Sequence, residues 1–202
     1  VNSSSIALGS STLECQSTVN NLGVTIDGQL TMKDHVRRTC TACFYQLRQL
    51  RVVRRSLSSD ACASLVHAFI SSRLDYCNSL LAGISDTLIR QLQSVLRVAA
   101  RLVTRRRKYD PISEIIRDKL HWLPVRQRID FKLGVLVYKC LHDLAPPYLI
   151  EMVVPVSHIH GRRMLRSSVH GDVIVPRTES VRLGPRGFLS AGPSLWKVFQ
   201  LT

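Results

Sequence analysis

The stretch TMKDHVRRTCTACFYQLRQL, residues 31–50, decides the fold. Within it Val36, Cys40, Cys43, Leu47 and Leu50 recur at intervals of four, three, four and three, the apolar stripe of an amphipathic helix. Upstream the pattern differs. Residues 5–27 carry the short β-prone runs SIALG, TLECQ and LGVTID between Gly, Ser and Asn, which predicts two or three antiparallel strands. So few strands are too small a unit to stand alone in water.

Downstream the helical period continues. A second helix is predicted from about Ser59, where Ser-Asp supplies a cap before ACASLVHAFISSRLDYC, with Gly83 helping to end the segment. A third starts near Ser85. Its Leu88, Leu92, Val95, Ala99 and Leu102 form an apolar stripe, and Arg90, Arg97, Arg101 and Arg105 follow the neighbouring face. TRRRKYDP ends it, because Pro111 drives the residue before it out of helical geometry. A short helix over 112–119, an apolar anchor at Trp122 and a long helix from Pro124 to about Leu141 follow, with a stop at Pro146 and Pro147. Residues 155–185 are rich in His, Arg, Gly and Ser and offer one strand, DVIVP, before RGFLSAGPSLWKVFQ restores apolar anchors. The expected fold is therefore mainly α: a helical bundle preceded by a small antiparallel β hairpin, with a partly irregular C-terminal extension.

With 202 residues, of which 45% are hydrophobic, the chain can bury a real core. Its 28 Lys and Arg against 14 Asp and Glu give a net charge of +14, a surface that expects polyanions. Nucleic acid is the first such partner, and an anionic membrane face or an acidic protein meets the same electrostatics. The chain begins at Val1 with neither a basic nor a long apolar leader, which reads as a fragment. Apolar runs such as LGVLVYKCL fall short of the roughly 18 residues of a membrane span, so no membrane partner is expected. Six cysteines, mostly inside helical patterns, predict reduced thiols and an intracellular location.

The stretch SRLDYCNSLL, residues 72–81, resembles a catalytic cluster. On a helix Leu74, Cys77 and Leu81 face the core, leaving Arg73, Asp75 and Tyr76 at its edge and Asn78 to bond the backbone where the helix frays. No sequence-local histidine serves Cys77 as a base, so packing is the expectation and no catalytic residue is assigned. Cys40 and Cys43 form a CxxC, but both belong to the apolar stripe and lack a second ligand pair, so no metal is assigned. Cys62 and His67 are awkwardly spaced partners, and His158 and His160 fall in a predicted loop without cysteine nearby. There is no phosphate-binding glycine loop, no G-x-S-x-G elbow and no Asp-Asp pair for two-metal chemistry.

In order, the chain carries NNLGVTIDGQLTMKDHV, LVHAFISSRLDYCNSLLAGI, LQSVLRVAARLV, LHWLPVRQRIDFKLGVLVYKCLHDLAPPYL, LRSS, VPRTES and GFLSAGPSLWKVF. This series resembles the C-terminal part of a non-LTR (LINE-type) retrotransposon reverse transcriptase, of the jockey-like and chicken-repeat-like kind. The motifs span nearly the whole chain. SRLDYCNSLL followed by LHWLPVRQRI carries most of the specificity. The sequence departs from the family pattern at Leu96 and Arg97, where a Gln-Asn pair is usual, and at Trp196-Lys197 in place of Trp-Asn.

The resemblance implies that residues 1–30 are the terminal palm strands, with Leu22, Gly23 and Val24 in a primer-grip-like hairpin. It implies a helical thumb-like domain over 31–154 and an extension over 155–202. The catalytic aspartates and their Mg2+ would belong to an upstream palm, so no cofactor is expected here. The expected role is template–primer backbone binding within an RNA-directed DNA polymerase, with no polymerase activity in this fragment alone. The missing fingers and palm would be its protein partners, and its location nuclear and cytoplasmic with the parent element. Candidate phosphate contacts are Arg90, Arg97, Arg101, Arg105, Arg106, Arg107 and Lys108, with Arg37, Arg48, Arg51 and Arg55 as a second set. The alternative is an exapted basic helical module that binds an acidic protein.

Overall fold

The change of hydrophobic period at Thr31 is the chain's main structural division. In a computed structural model, which describes residues 5–8, 11–14, 16–158, 172–181 and 183–200, strands precede it and helices follow. β1 (Ser5–Leu8) and β2 (Ser11–Glu14) pair antiparallel from Ser5 opposite Glu14 to Leu8 opposite Ser11. β3 (Thr18–Asn21) and β4 (Val24–Asp27) form a second, separate hairpin from Thr18 opposite Asp27 to Asn21 opposite Val24. The strands thus number four in two ribbons, where the sequence suggested two or three in one. Short β-prone runs do not say which run pairs with which.

The two-residue loop of the second hairpin, Leu22-Gly23, has φ of 48° and 82°. Two positive values match the right-handed twist of the ribbon. Glycine reaches this conformation freely, but a leucine there needs support from outside the loop. Below the hairpin the Asp27 carboxylate accepts hydrogen bonds from the backbone N–H groups of Gln29, Thr31 and Met32 and from the Thr31 hydroxyl, at 2.8–3.1 Å. Burial raises its pKa, but these bonds outweigh it and hold the carboxyl below its usual value. One side chain therefore closes the turn that aims the chain into the first helix.

That helix, α1 (Lys33–Val53), buries His35, Val36, Cys40, Cys43, Leu47 and Leu50, the predicted stripe plus one histidine. α2 (Ser59–Val66) is capped by the hydroxyl of Ser58, which accepts from the Ala61 N–H at 3.1 Å. It continues through a π turn (His67–Ser71) into α3 (Ser72–Asp75). Helix then stops at Tyr76, whose ψ of 119° is extended, and Cys77 follows at φ of 50° before a 3-10 turn over Asn78–Leu81. α4 (Asp86–Thr104) buries Leu88, Leu92, Val95, Leu96, Ala99, Ala100, Leu102 and Val103. A π turn (Ile115–Lys119) leads to buried Trp122 and α5 (Val125–Leu141). The Gln93 side chain of α4 accepts the Val125 N–H at 2.9 Å, satisfying an orphan donor at the start of α5. The two prolines predicted as a stop open a short helix of their own, α6 (Pro147–Ile150), with Pro147 at its first position.

DVIVP makes only an isolated bridge, Pro155 opposite Val173, in place of the predicted strand. α7 (Phe188–Gln200) contains Pro193, which masks its helical pattern in the sequence. It packs on α5 through close approaches: a Cβ on Gly192 would meet Val137 Cγ2 at 2.9 Å, and one on Gly134 would meet Phe199 Cε2 at 2.8 Å. The main core joins the second hairpin to α1, the α2–α3 run, α4 and α5, with Phe188, Ala191 and Leu195 of α7 packed against it. A smaller cluster of Val137, Cys140, Val153 and Val173 lies beneath Trp196. Mainly helical with small antiparallel ribbons at the N-terminus, the architecture is the one expected. Among the described residues, no helix is long and apolar enough to cross a membrane. His160 and LRSS lie outside the described residues.

Candidate nucleic-acid interface

α1 and α4 are each amphipathic, and packing their apolar stripes together brings their C-terminal ends side by side. A helix C-terminus carries unpaired carbonyls and partial negative charge, which favours cations. Arg54 satisfies this at α4. It is buried, and its guanidinium donates from Nε to the Leu102 carbonyl at 2.8 Å, from one terminal nitrogen to Val103 at 2.9 Å and from the other to Leu57 at 2.8 Å. The planar fork of arginine fits three carbonyls converging from two segments, a geometry an ammonium cannot reproduce. Arg54 therefore fastens one helix end to the other.

Around this clasp opens a cleft of about 710 Å3 lined by Arg51, Arg54, Arg55, Val98, Arg101, Leu102, Arg105, Arg106 and Lys108. Seven of the nine lining residues are basic and none is acidic. Arg105, at φ of 56°, ends α4 and reaches the Leu57 carbonyl at 3.4 Å. Arg101 donates to the Asp110 carbonyl at 3.2 Å, while its buried Nε has no hydrogen-bond partner among the described residues. The Asp110 carboxylate accepts the Arg107 N–H at 2.9 Å, closing the basic loop. Among the described residues, the side chains of Arg51, Arg55 and Arg106 make no hydrogen bond or ion pair, and all three residues are exposed. An array of like charges held this close is unfavourable without counterions, so the field in the cleft attracts anions.

Six of the eleven sequence-derived phosphate contacts line the cleft: Arg51, Arg55, Arg101, Arg105, Arg106 and Lys108. The other five do not. Arg37 sits at the far end of α1, paired with Asp34 at 2.9 Å. Arg90 lies about 22 Å from Arg105 along α4 at the usual rise per residue, with its guanidinium beside the Thr87 hydroxyl at 3.4 Å. Arg48, Arg97 and Arg107 are exposed. Arg54 was not foreseen, since the sequence gives it the same basic neighbourhood as Arg55. The signal that finds it is a basic residue just past a helix end.

SRLDYCNSLL behaves as a tie between elements. Asp75 pairs with Arg128 of α5 at 2.7 Å, and Asn78, buried, approaches the same carboxylate at 3.5 Å. Leu74 and Leu81 are buried as the spacing predicts. Cys77 is instead half-buried in a left-handed turn, because the helix has already ended. Asn78 correspondingly meets a side chain in place of the backbone expected for it. The Tyr76 hydroxyl donates to the Leu22 carbonyl at 2.6 Å, and a Cβ on Gly23 would stand 3.7 Å from its ring. This is the outside support that the Leu22 conformation requires. Leu22 and Gly23 are exposed at the hairpin tip while Val24 is buried, so the three primer-grip-like residues split between surface and core.

Cys40 and Cys43 are buried, and burial pushes both thiols up to about 11, leaving them protonated and unreactive at neutral pH. The His67 ring stands edge-on to Trp122 at 5.3 Å. Among the described residues, no group of three or more His, Cys, Asp or Glu side chains is placed to hold a metal ion. Comparison with protein-family models, with curated proteins and with solved structures found no match to the chain.

Proposed function

We propose that the chain is a nucleic-acid backbone-binding portion of a reverse-transcriptase-like protein of the non-LTR retrotransposon kind, with catalysis left to a palm outside it. The observation that carries the binding half is the acid-free basic cleft between the ends of α1 and α4. Cations held by a rigid scaffold meet phosphates without reading bases, so such a surface positions a template–primer duplex and tolerates any sequence. The parentage rests on the ordered motifs from NNLGVTIDGQ to GFLSAGPSLWKVF. Mg2+ would act in the palm, and the isolated chain is expected to extend no primer.

The test is binding of the purified chain to a fluorescent RNA–DNA duplex across a salt series. Binding through several phosphates falls linearly on a log–log plot, and each lost contact lowers the slope by about 0.9. A variant with Arg51→Ala, Arg55→Ala and Arg106→Ala, which removes no side-chain hydrogen bond among the described residues, should lose affinity and up to about 3 units of slope. A flat salt dependence, or equal binding to polyglutamate, would overturn the reading.

A further inference from the structure

The basic loop beyond α4 carries one residue that neither packing nor phosphate binding explains. Tyr109 is 88% exposed, the most exposed aromatic side chain among the described residues. It does not sit on a slack segment. The Arg101 guanidinium holds the Asp110 carbonyl, the Asp110 carboxylate holds the Arg107 N–H, and the Asp110 N–H returns to the Arg107 carbonyl at 3.3 Å. These bonds clamp both sides of the tyrosine and leave its ring standing in solvent. Lys108, which lines the cleft, places its ammonium 5.2 Å from the ring centroid, so ring and cleft wall adjoin. The ring is thus both open to solvent and fixed in place, with its position set beside the cleft wall.

An exposed aromatic face beside a track of cations is the arrangement that binds unpaired nucleotides. The cations take the phosphates while the ring takes the face of a base that has no pairing partner to stack within. A base inside a duplex is already stacked and does not offer that face.

We propose that the cleft engages a strand at an unpaired nucleotide, with its phosphates among the arginines and its base stacked on Tyr109, so that the preferred ligand is a duplex carrying a single-stranded overhang. This rests on the nucleic-acid reading of the cleft and narrows its substrate class.

The experiment compares three fluorescent probes: a blunt RNA–DNA duplex, the same duplex with a single-stranded overhang, and the overhang duplex with abasic nucleotides in that overhang. The wild-type chain should bind the overhang duplex about 5-fold to 140-fold more tightly than the abasic one, the range for one base stacked on an aromatic ring. Tyr109→Ala should erase that difference and leave the salt slope unchanged, since no charge is removed, while Tyr109→Phe should retain it. Salt-steep binding with equal affinity for the intact and abasic overhangs would overturn the stacking proposal and leave the basic cleft standing. Absence of salt-dependent binding to all three probes would overturn both.

Discussion

Arg54 shows how far a residue's role exceeds its type. In the sequence it is one of two adjacent arginines; in the fold it is buried and donates to three carbonyls, while Arg55 is exposed. Arg54→Ala leaves the Leu102 and Val103 carbonyls unpaired and Leu57 with only the long contact from Arg105, and Arg54→Lys cannot fork, so both should lower unfolding free energy, the alanine variant by about 3 kcal/mol in urea denaturation. Arg55→Ala should change stability by less than about 0.5 kcal/mol, as an exposed side chain does. His35 makes a second residue-scale prediction. It is buried, its Nδ1 accepts the Thr25 N–H at 3.4 Å, and burial together with the Arg38 charge lowers its pKa. The folded state therefore holds this imidazole neutral where the unfolded chain would protonate it. Stability from His35 is complete above the unfolded value near 6.5 and is lost as pH falls below it, by at most about 1.4 kcal/mol per pH unit. Urea midpoints at about pH 7.5 and about pH 5 should differ in that direction, and His35→Gln should reduce the difference. The sequence marks neither role, because each depends on what the fold brings against the side chain.

At the scale of elements, local pattern and local geometry agree until a contact from elsewhere intervenes. The stripes of α1 and α4 are buried as their spacing predicts, since helical periodicity is a property of neighbours in the chain. The helix through SRLDYC stops earlier than its pattern requires, and the left-handed Cys77 lets Tyr76 reach the hairpin at Leu22. α7 was legible only as a set of apolar anchors because Pro193 interrupts it. Its seat on α5 depends on small residues: Gly192→Ala would put a Cβ 2.9 Å from Val137 Cγ2 and 3.1 Å from Phe188 Cε2. Overpacking of about 1–3 kcal/mol should outweigh the about 1 kcal/mol that alanine gains in helix propensity. The variant should therefore be less stable, by up to about 2 kcal/mol, in thermal or urea unfolding. A more stable Gly192→Ala protein would show that α7 shifts on α5 at no cost.

For the molecule as a whole, the net charge of +14 follows from residue counts, and its field attracts anions of any kind. The distribution of that charge does not follow from counting. The eleven basic residues singled out in two sets resolve into one cleft that takes six of them, with five left at other places on the surface. Whole-molecule binding should follow that division: Arg37→Ala and Arg90→Ala should alter the salt slope less than the Arg51, Arg55 and Arg106 substitutions do, measured on the same RNA–DNA duplex. Equal losses from both sets would mean that the bound backbone runs along α4 to Arg90, about 12 Å beyond the cleft wall at Val98.

Residue type and spacing over a few positions were enough to read the main helices α1, α2, α4 and α5, the buried stripes of α1 and α4, and the excess of positive charge, but not α6, α7 or the early end of the helix at Asp75. It took the folded chain to show that the ends of α1 and α4 meet, that Arg54 clasps them across 48 positions of chain, and that Tyr76 holds a turn 54 positions away. These are contacts between distant segments. Periodicity says that a face must be covered but not by what, and the choice among possible partners is made only when the whole core packs at once.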